Sequence, residues 1–178
     1  MSPTTLLSRL AMHWRARIVL HVIRMQLSRT VPFARGLGLA VDRIDERGAS
    51  TRLPESPQLH NHVGTLHAGA LFTACEAASG AALAGALLPL IMQARFVVRD
   101  ARISYLKPAR GELLAQAALV DDAAEVLDRL RRLGRADVVV DVSARTAAGT
   151  ADEVLVAKAS FDWHLKLIDA APPAAAPR

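Results

Sequence analysis

One carboxylate interrupts a run that is otherwise apolar. The segment Asn61-His62-Val63-Gly64-Thr65-Leu66-His67-Ala68-Gly69-Ala70-Leu71-Phe72-Thr73-Ala74-Cys75-Glu76 passes from a polar, glycine-containing loop into an alanine-rich stretch whose lone charge is Glu76. A helix that is apolar on every face is a buried helix. An acid on such a helix is costly to hold without a partner or a task. At the head of the same helix, near Thr65 to Gly69, unpaired backbone N–H groups carry partial positive charge. They suit an anion or a developing oxyanion.

Helical geometry sharpens the pairing. At about 100° per residue, Gly69 and Glu76 share a face, flanked by Phe72, Thr73, Ser79 and Gly80. Leu71, Ala74, Ala78, Ala81 and Gly85 point the other way. That face is nearly all small residues, so a sheet can approach it closely. The Glu76 face keeps side chains able to line a pocket.

The pattern Asn-x-x-Gly-x-x-His-x-Gly, with an acid seven residues after the last glycine, is met by Asn61, Gly64, His67, Gly69 and Glu76. A second block, Tyr105-Leu106-Lys107-Pro108-Ala109-Arg110-Gly111, follows later. With these two blocks the chain resembles the hot-dog-fold acyl-CoA thioesterases of the phenylacetate-pathway type, and more closely the bacterial tetrameric acyl-CoA thioesterase-like domains. The resemblance runs from about Phe33 to Trp163. Ala68 departs from it, where many relatives carry a second glycine.

The resemblance implies hydrolysis of an acyl-CoA to free acid and CoA. Backbone N–H groups near Gly69 would polarise the thioester carbonyl. Glu76 would deprotonate a water or attack directly. Burial raises the pKa of Glu76 and the positive helix end lowers it. Asn61 either orients water or thioester with its amide or caps the loop. His67 either holds the loop or touches substrate. Phe72 and Thr73 are expected against the substrate. Lys107 and Arg110 either hold CoA phosphates or are plain turn cations. Arg131, Arg132 and Arg135 are weaker candidates of the same kind. Relatives place the site between two subunits, so a homodimer or homotetramer is expected. No cofactor is expected. His60, His62 and His164 read as structural, and no spacing marks a metal site.

Two other functions compete. One is a hot-dog hydratase or dehydratase acting on β-hydroxyacyl thioesters, in which His62, 14 residues before Glu76, would work with the acid. Those enzymes carry a Pro-Gly pair where this chain has Ala70-Leu71, which favours hydrolysis. The other is a catalytically silent acyl-CoA binder or scaffold, which would gain nothing from an acid beside a thioester.

The elements that must position these residues follow from the pattern. Thr4 to about Arg29 reads as a basic amphipathic helix with the stripe Leu7, Ala11, Trp14, Ile18, Val22 and Met25. It is an accessory or subunit-contact helix, a weak membrane-surface contact, or a targeting presequence. Gly38 to Asp45 and Ala49 to Leu53 read as extended. A long helix is expected over about 66–88, stopped by Pro89. Strands are expected at 101–106, 112–119, 138–146 and 153–165. Asp121 and Asp122 open a short helix that ends at Gly134. The fold class is therefore α+β, an antiparallel sheet wrapped around one long central helix with an extra N-terminal helix. The organisation reads as an N-terminal helix at 1–32, a hot-dog domain at 33–168 and an Ala/Pro tail at 169–178.

Composition narrows the partners. The 178 residues carry a formal charge of +5 and a pI near 10.3, with 52% hydrophobic and 4% aromatic content. The basic balance suits a phosphate-bearing ligand such as CoA. No nucleic-acid motif accompanies it, so no nucleic acid is expected. The single cysteine, Cys75, excludes an internal disulfide and fits the cytoplasm. Ala77 to Ala94 holds no charge, but Pro89 and two glycines argue against a spanning helix.

Overall fold

The computed structural model describes residues 22, 24, 25, 31–45 and 47–168. Of the expected N-terminal helix, Val22, Arg24 and Met25 are helical and the rest lies outside the described residues, as does the tail at 169–178. Arg24 Nη1 donates to the Asp42 carbonyl at 2.9 Å, so this segment touches the domain.

A short helix, α1 (Pro32–Gly36), leads into strands β1 (Ala40–Asp45) and β2 (Gly48–Leu53). The central helix α2 spans Ala68–Ala86. Strands β3 (Ala94–Tyr105) and β4 (Leu113–Leu119), helix α3 (Ala123–Leu133), and strands β5 (Arg135–Thr146) and β6 (Val154–Leu167) complete the order. All six strands form one antiparallel sheet in the order β1-β2-β4-β5-β6-β3. The sheet curls around α2. This is the hot-dog architecture.

The apolar helix behaves as its composition demands. From Ala70 to Leu87 every residue is buried except Phe72, Glu76 and Ala77, which are half-buried. The small face meets the sheet where expected. A Cβ on Gly85 would stand 2.5 Å from the Asp45 carbonyl oxygen, so only glycine lets α2 approach β1 this closely. Thr51 Oγ1 donates to the Ala74 carbonyl at 2.8 Å and ties β2 to the helix. Gly48 has φ +150°, and its Cβ would fall 2.1 Å from the Ala117 carbonyl oxygen, so the β1–β2 turn also requires glycine.

Two expectations need correction. The strand expected to begin at Ala101 begins at Ala94. Its first half hides behind charges: Arg95 and Val97 are exposed while Phe96 and Val98 face inward. A bulge between Val98 and Asp100 then breaks the alternation. The charge-free window 77–94 is thus a helix end, a turn and a strand start; among the described residues no helix is long and apolar enough to cross a membrane. Likewise β5 starts three residues earlier than expected, because Arg135 and Asp137 are its outward positions. The Asp122 cap is present, accepting from Ala124 N and Glu125 N, and Gly134 closes α3 in the left-handed conformation.

Candidate active site

The loop before α2 is built by Asn61. Its Oδ1 accepts from Val63 N at 3.0 Å and Thr65 N at 3.1 Å. Its Nδ2 donates to Thr65 Oγ1 at 2.9 Å. Gly64 supplies the turn with φ +73°. The Asn61 amide is therefore spent on holding the turn. The finished loop docks on the segment after β3: Leu66 N donates to the Ala109 carbonyl at 3.0 Å and Arg110 Nη1 to the Gly64 carbonyl at 3.0 Å.

His67 is the N-cap of α2. Its backbone N–H donates to the Leu59 carbonyl at 2.7 Å, and its Nδ1 accepts from Gly69 N at 2.9 Å. The N–H expected to face a carbonyl oxygen is thus held by an imidazole. Gly69 has room for this ring because it lacks a Cβ, which would stand 3.2 Å from Nδ1. One turn on, Thr73 Oγ1 donates to the Gly69 carbonyl at 2.9 Å.

Glu76 opens onto a cavity of about 160 Å³. Its walls are Thr73, Ala77, Gly80 and Ala81 of α2, Phe33, Leu39 and Val41 ahead of it, and Phe96 and Trp163 of the sheet. Phe96 and Trp163 meet edge to face at 5.6 Å. Trp163 Nε1 donates to Ser79 Oγ at 3.1 Å, which fixes the indole as a wall. Among the described residues no hydrogen-bond or ion-pair partner reaches the Glu76 carboxylate. Burial pushes its pKa above the ordinary 4.5. Of the two opposed influences expected on this acid, desolvation prevails.

A second concavity, a groove of about 590 Å³, lies at the head of the helix. Asn61, Thr65, Tyr105, Lys107 and Arg110 supply its polar lining, and Val63, Leu66, Leu71, Leu106 and Pro108 belong to the larger apolar part. Tyr105 Oη donates to the Ala68 carbonyl at 3.2 Å. The residues expected to form one site are therefore split within this chain. Glu76 and Thr73 face the cavity; Asn61, Lys107 and Arg110 line the groove; Gly69 and His67 stand on the helix turn between them and line neither. Phe72 is half-buried and packs edge to face on Phe161 at 5.5 Å.

The remaining candidates fall away from both places. Burial lifts the Cys75 thiol to about 12, which leaves it protonated and unreactive. His60 Nε2 contacts Glu55 at 3.2 Å and His164 Nδ1 contacts Asp137 at 2.6 Å. His62 is exposed and lines neither concavity. Arg131, Arg132 and Arg135 lie at the far end of the sheet: Arg135 is in register, across Lys166, with Arg95, ten residues before Tyr105 on β3. Among the described residues no group of three or more His, Cys, Asp or Glu is placed to hold a metal. The Phe96–Trp163 wall and the Phe33–Val41 segment were not singled out from sequence, where Trp163 counted only as one face of a strand.

The fold is shared with solved thioesterase-superfamily structures. A Shewanella oneidensis protein provisionally called a thioesterase superposes with a TM-score of 0.69 at 20% identity, covering 85% of this chain and 99% of that one. A Pseudomonas aeruginosa protein of unknown function, also provisionally called a thioesterase, gives 0.66 at 20% identity, covering 83% and 95%. A thioesterase of Haemophilus influenzae gives 0.62 at 18%, covering 82% and 89%. By sequence, residues 21–165 match the family described as a domain of unknown function, DUF4442, and the chain belongs to that family. A Halobacterium salinarum protein provisionally named an esterase is 34% identical over 132 residues, 70% of this chain and 80% of that protein.

Proposed function

We propose that this protein is an acyl-CoA thioesterase with Glu76 as its essential acid. One observation carries the reading: a carboxylate with no partner among the described residues opens onto an apolar cavity, on the helix whose N-terminus faces a groove that carries Lys107 and Arg110. A purely structural acid in that position would be expected to have a partner. The thioesterase names of structural neighbours and the esterase name of the Halobacterium relative are in line with it.

The acyl group enters the cavity and the CoA arm lies in the groove. The carbonyl oxygen displaces the His67 ring and accepts from Gly69 N–H. Glu76 stands about 10 Å further along the axis, but helical side chains lean toward the N-terminus, which shortens the gap. As a general base it takes a proton from water, whose oxygen adds to the carbonyl carbon; the C–S bond breaks, and the proton passes to the departing thiolate. As a nucleophile its carboxylate oxygen adds to the carbonyl carbon and the C–S bond breaks to expel the CoA thiolate; water then opens the resulting anhydride, releasing the acid, regenerating Glu76 and supplying the proton that the thiolate takes up. Asn61 acts as a positioning residue through the turn, and Thr73 holds the first helical turn.

The split between cavity and groove supports a site completed by a second subunit. Strand β3 is hydrogen-bonded to β6 on one side and, among the described residues, has no strand on the other. Val97, Tyr105 and Leu106, on and just after it, are exposed. A second β3 would cover that edge. The test is a panel of acyl-CoA esters of graded chain length, followed by free-thiol release, with light scattering on the same sample. Hydrolysis of some esters by a dimer or larger assembly is expected. A panel left wholly intact, or an active monomer, would overturn the catalytic or the two-subunit part respectively.

A further inference from the structure

Three cations stand side by side at the end of the sheet away from the groove. Arg95 on β3, Lys166 on β6 and Arg135 on β5 are in register. All three are exposed, while their chain neighbours Ala94, Leu165 and Ala136 are buried. They therefore share the outer face. Directly opposed residues have Cβ atoms roughly 5 Å apart, and like charges so placed destabilise a sheet. The nearby acids are engaged elsewhere: Asp137 with Arg99 and His164, Asp162 with Arg99, and Asp128 with Arg132. Among the described residues no carboxylate pairs with any of the three, nor with Arg131 in the last turn of α3. Asp169, the next acid in the chain, lies outside the described residues.

Apolar side chains project from the same end. Ile168 N donates to the Gln93 carbonyl and Leu167 N to the Gly134 carbonyl, both at 2.8 Å. These bonds draw together the segments that carry Met92, Leu133 and Ile168, which are 86%, 56% and 49% exposed. Exposed apolar tips, rimmed by cations that have no carboxylate partner among the described residues, match a bilayer with anionic headgroups: the tips enter the interface and the cations meet the phosphates. A soluble polyanion would reward the cations but not Met92.

We propose that this end of the molecule docks on the surface of an anionic phospholipid bilayer. The surface is distinct from the N-terminal segment and from the Glu76 cavity, and the proposal does not depend on the hydrolysis proposed above. It gives the protein a way to meet acyl groups where lipids are.

The test uses the full chain and flotation with vesicles of phosphatidylcholine alone or with added phosphatidylglycerol. Binding is expected to the anionic vesicles and to weaken with salt. Replacing Arg95, Lys166 and Arg135 together by alanine should lower partitioning about fivefold per charge, on the order of a hundredfold in all. A control variant loses the same charge elsewhere, at Arg47, Arg102 and Lys158, which line an open groove on the outer face. It should lose far less. Met92→Ser with Ile168→Ser should also weaken vesicle binding, because these apolar tips enter the interface. Equal losses in the two charge variants would reduce the effect to net charge and overturn the proposal. So would vesicle binding indifferent to the triple variant, or a triple variant that raises KM for a CoA ester while vesicle binding stays intact. Circular dichroism of each variant confirms that it is folded.

Discussion

The two concavities along the central helix differ in size and in charge. The Glu76 cavity is about 160 Å³ and apolar, closed by Phe96 and Trp163; the groove at the helix head is about 590 Å³ and lined by Asn61, Thr65, Tyr105, Lys107 and Arg110. An apolar cavity of about 150 Å³ holds a benzene-sized guest, so the first fits a compact acyl group. The second is wider and carries two cations, Lys107 and Arg110, on a largely apolar lining. A thioester is the kind of molecule with two such unlike ends. Desolvation in the cavity raises the Glu76 pKa, while Lys107 in the groove is exposed to water.

The largest effect should come from the cavity. Glu76→Gln keeps the size and loses the base, so thiol release should fall by about a hundredfold or more. Near-normal turnover in that variant would end the mechanism. The same residue sets the pH response. Burial raises its folded-state pKa, so the carboxylate form, and with it kcat/KM, should grow through a midpoint above 4.5. Because the folded state then binds more protons than the unfolded state between 4.5 and that midpoint, stability should fall as pH rises through this window. In Glu76→Gln that fall should be absent from denaturant melts taken on either side of it.

Cavity size is the next lever. Gly80 lines the cavity, and a Cβ there would meet the Trp163 ring at 3.4 Å, an ordinary contact. Gly80→Ala should therefore raise stability by about 0.5–1 kcal/mol through helix propensity. It should also lower kcat/KM for the largest acyl group that the wild type accepts by about tenfold, as one misfitting methylene does. A variant that is more stable with unchanged chain-length preference would show that the acyl group lies elsewhere.

The hinge between the two regions is His67. In this structure its Nδ1 occupies Gly69 N–H. His67→Ala should cost about 1 kcal/mol of capping but release that N–H, so turnover per folded molecule should hold or rise. A collapse of kcat with normal folding would instead make the imidazole a direct participant.

Sequence reading reached the elements with strong local signals. The central helix shows through its alanines and Pro89, and α3 through Asp122 and Gly134. Glu76 stood out because a charge in an apolar helix is rare by physics alone. The division of the site was not legible. Whether Gly69 N–H is free depends on where the His67 ring turns, and Phe33, Phe96 and Trp163 come together only through sheet register. The first half of β3 was hidden for a related reason. Its outward side chains include Arg95 and Arg99, and a bulge at Arg99 breaks the period-two alternation on which a strand is recognised.

The smallest effect belongs to the groove, and it tests the comparison from its weak side. Lys107 is exposed and has no ion-pair partner among the described residues, whereas Arg110 is partly committed to the Gly64 carbonyl. Lys107→Ala is thus the cleaner probe of a phosphate contact. An exposed charge contact contributes about 0–1 kcal/mol, so KM for a CoA ester should rise by at most about fivefold with kcat unchanged. The difference should vanish at high salt, where such contacts are screened. A short thioester that lacks the nucleotide should show no change at all. If that truncated substrate suffers equally, Lys107 shapes the loop rather than the coenzyme's path, and the groove loses its role as the cationic half of the site.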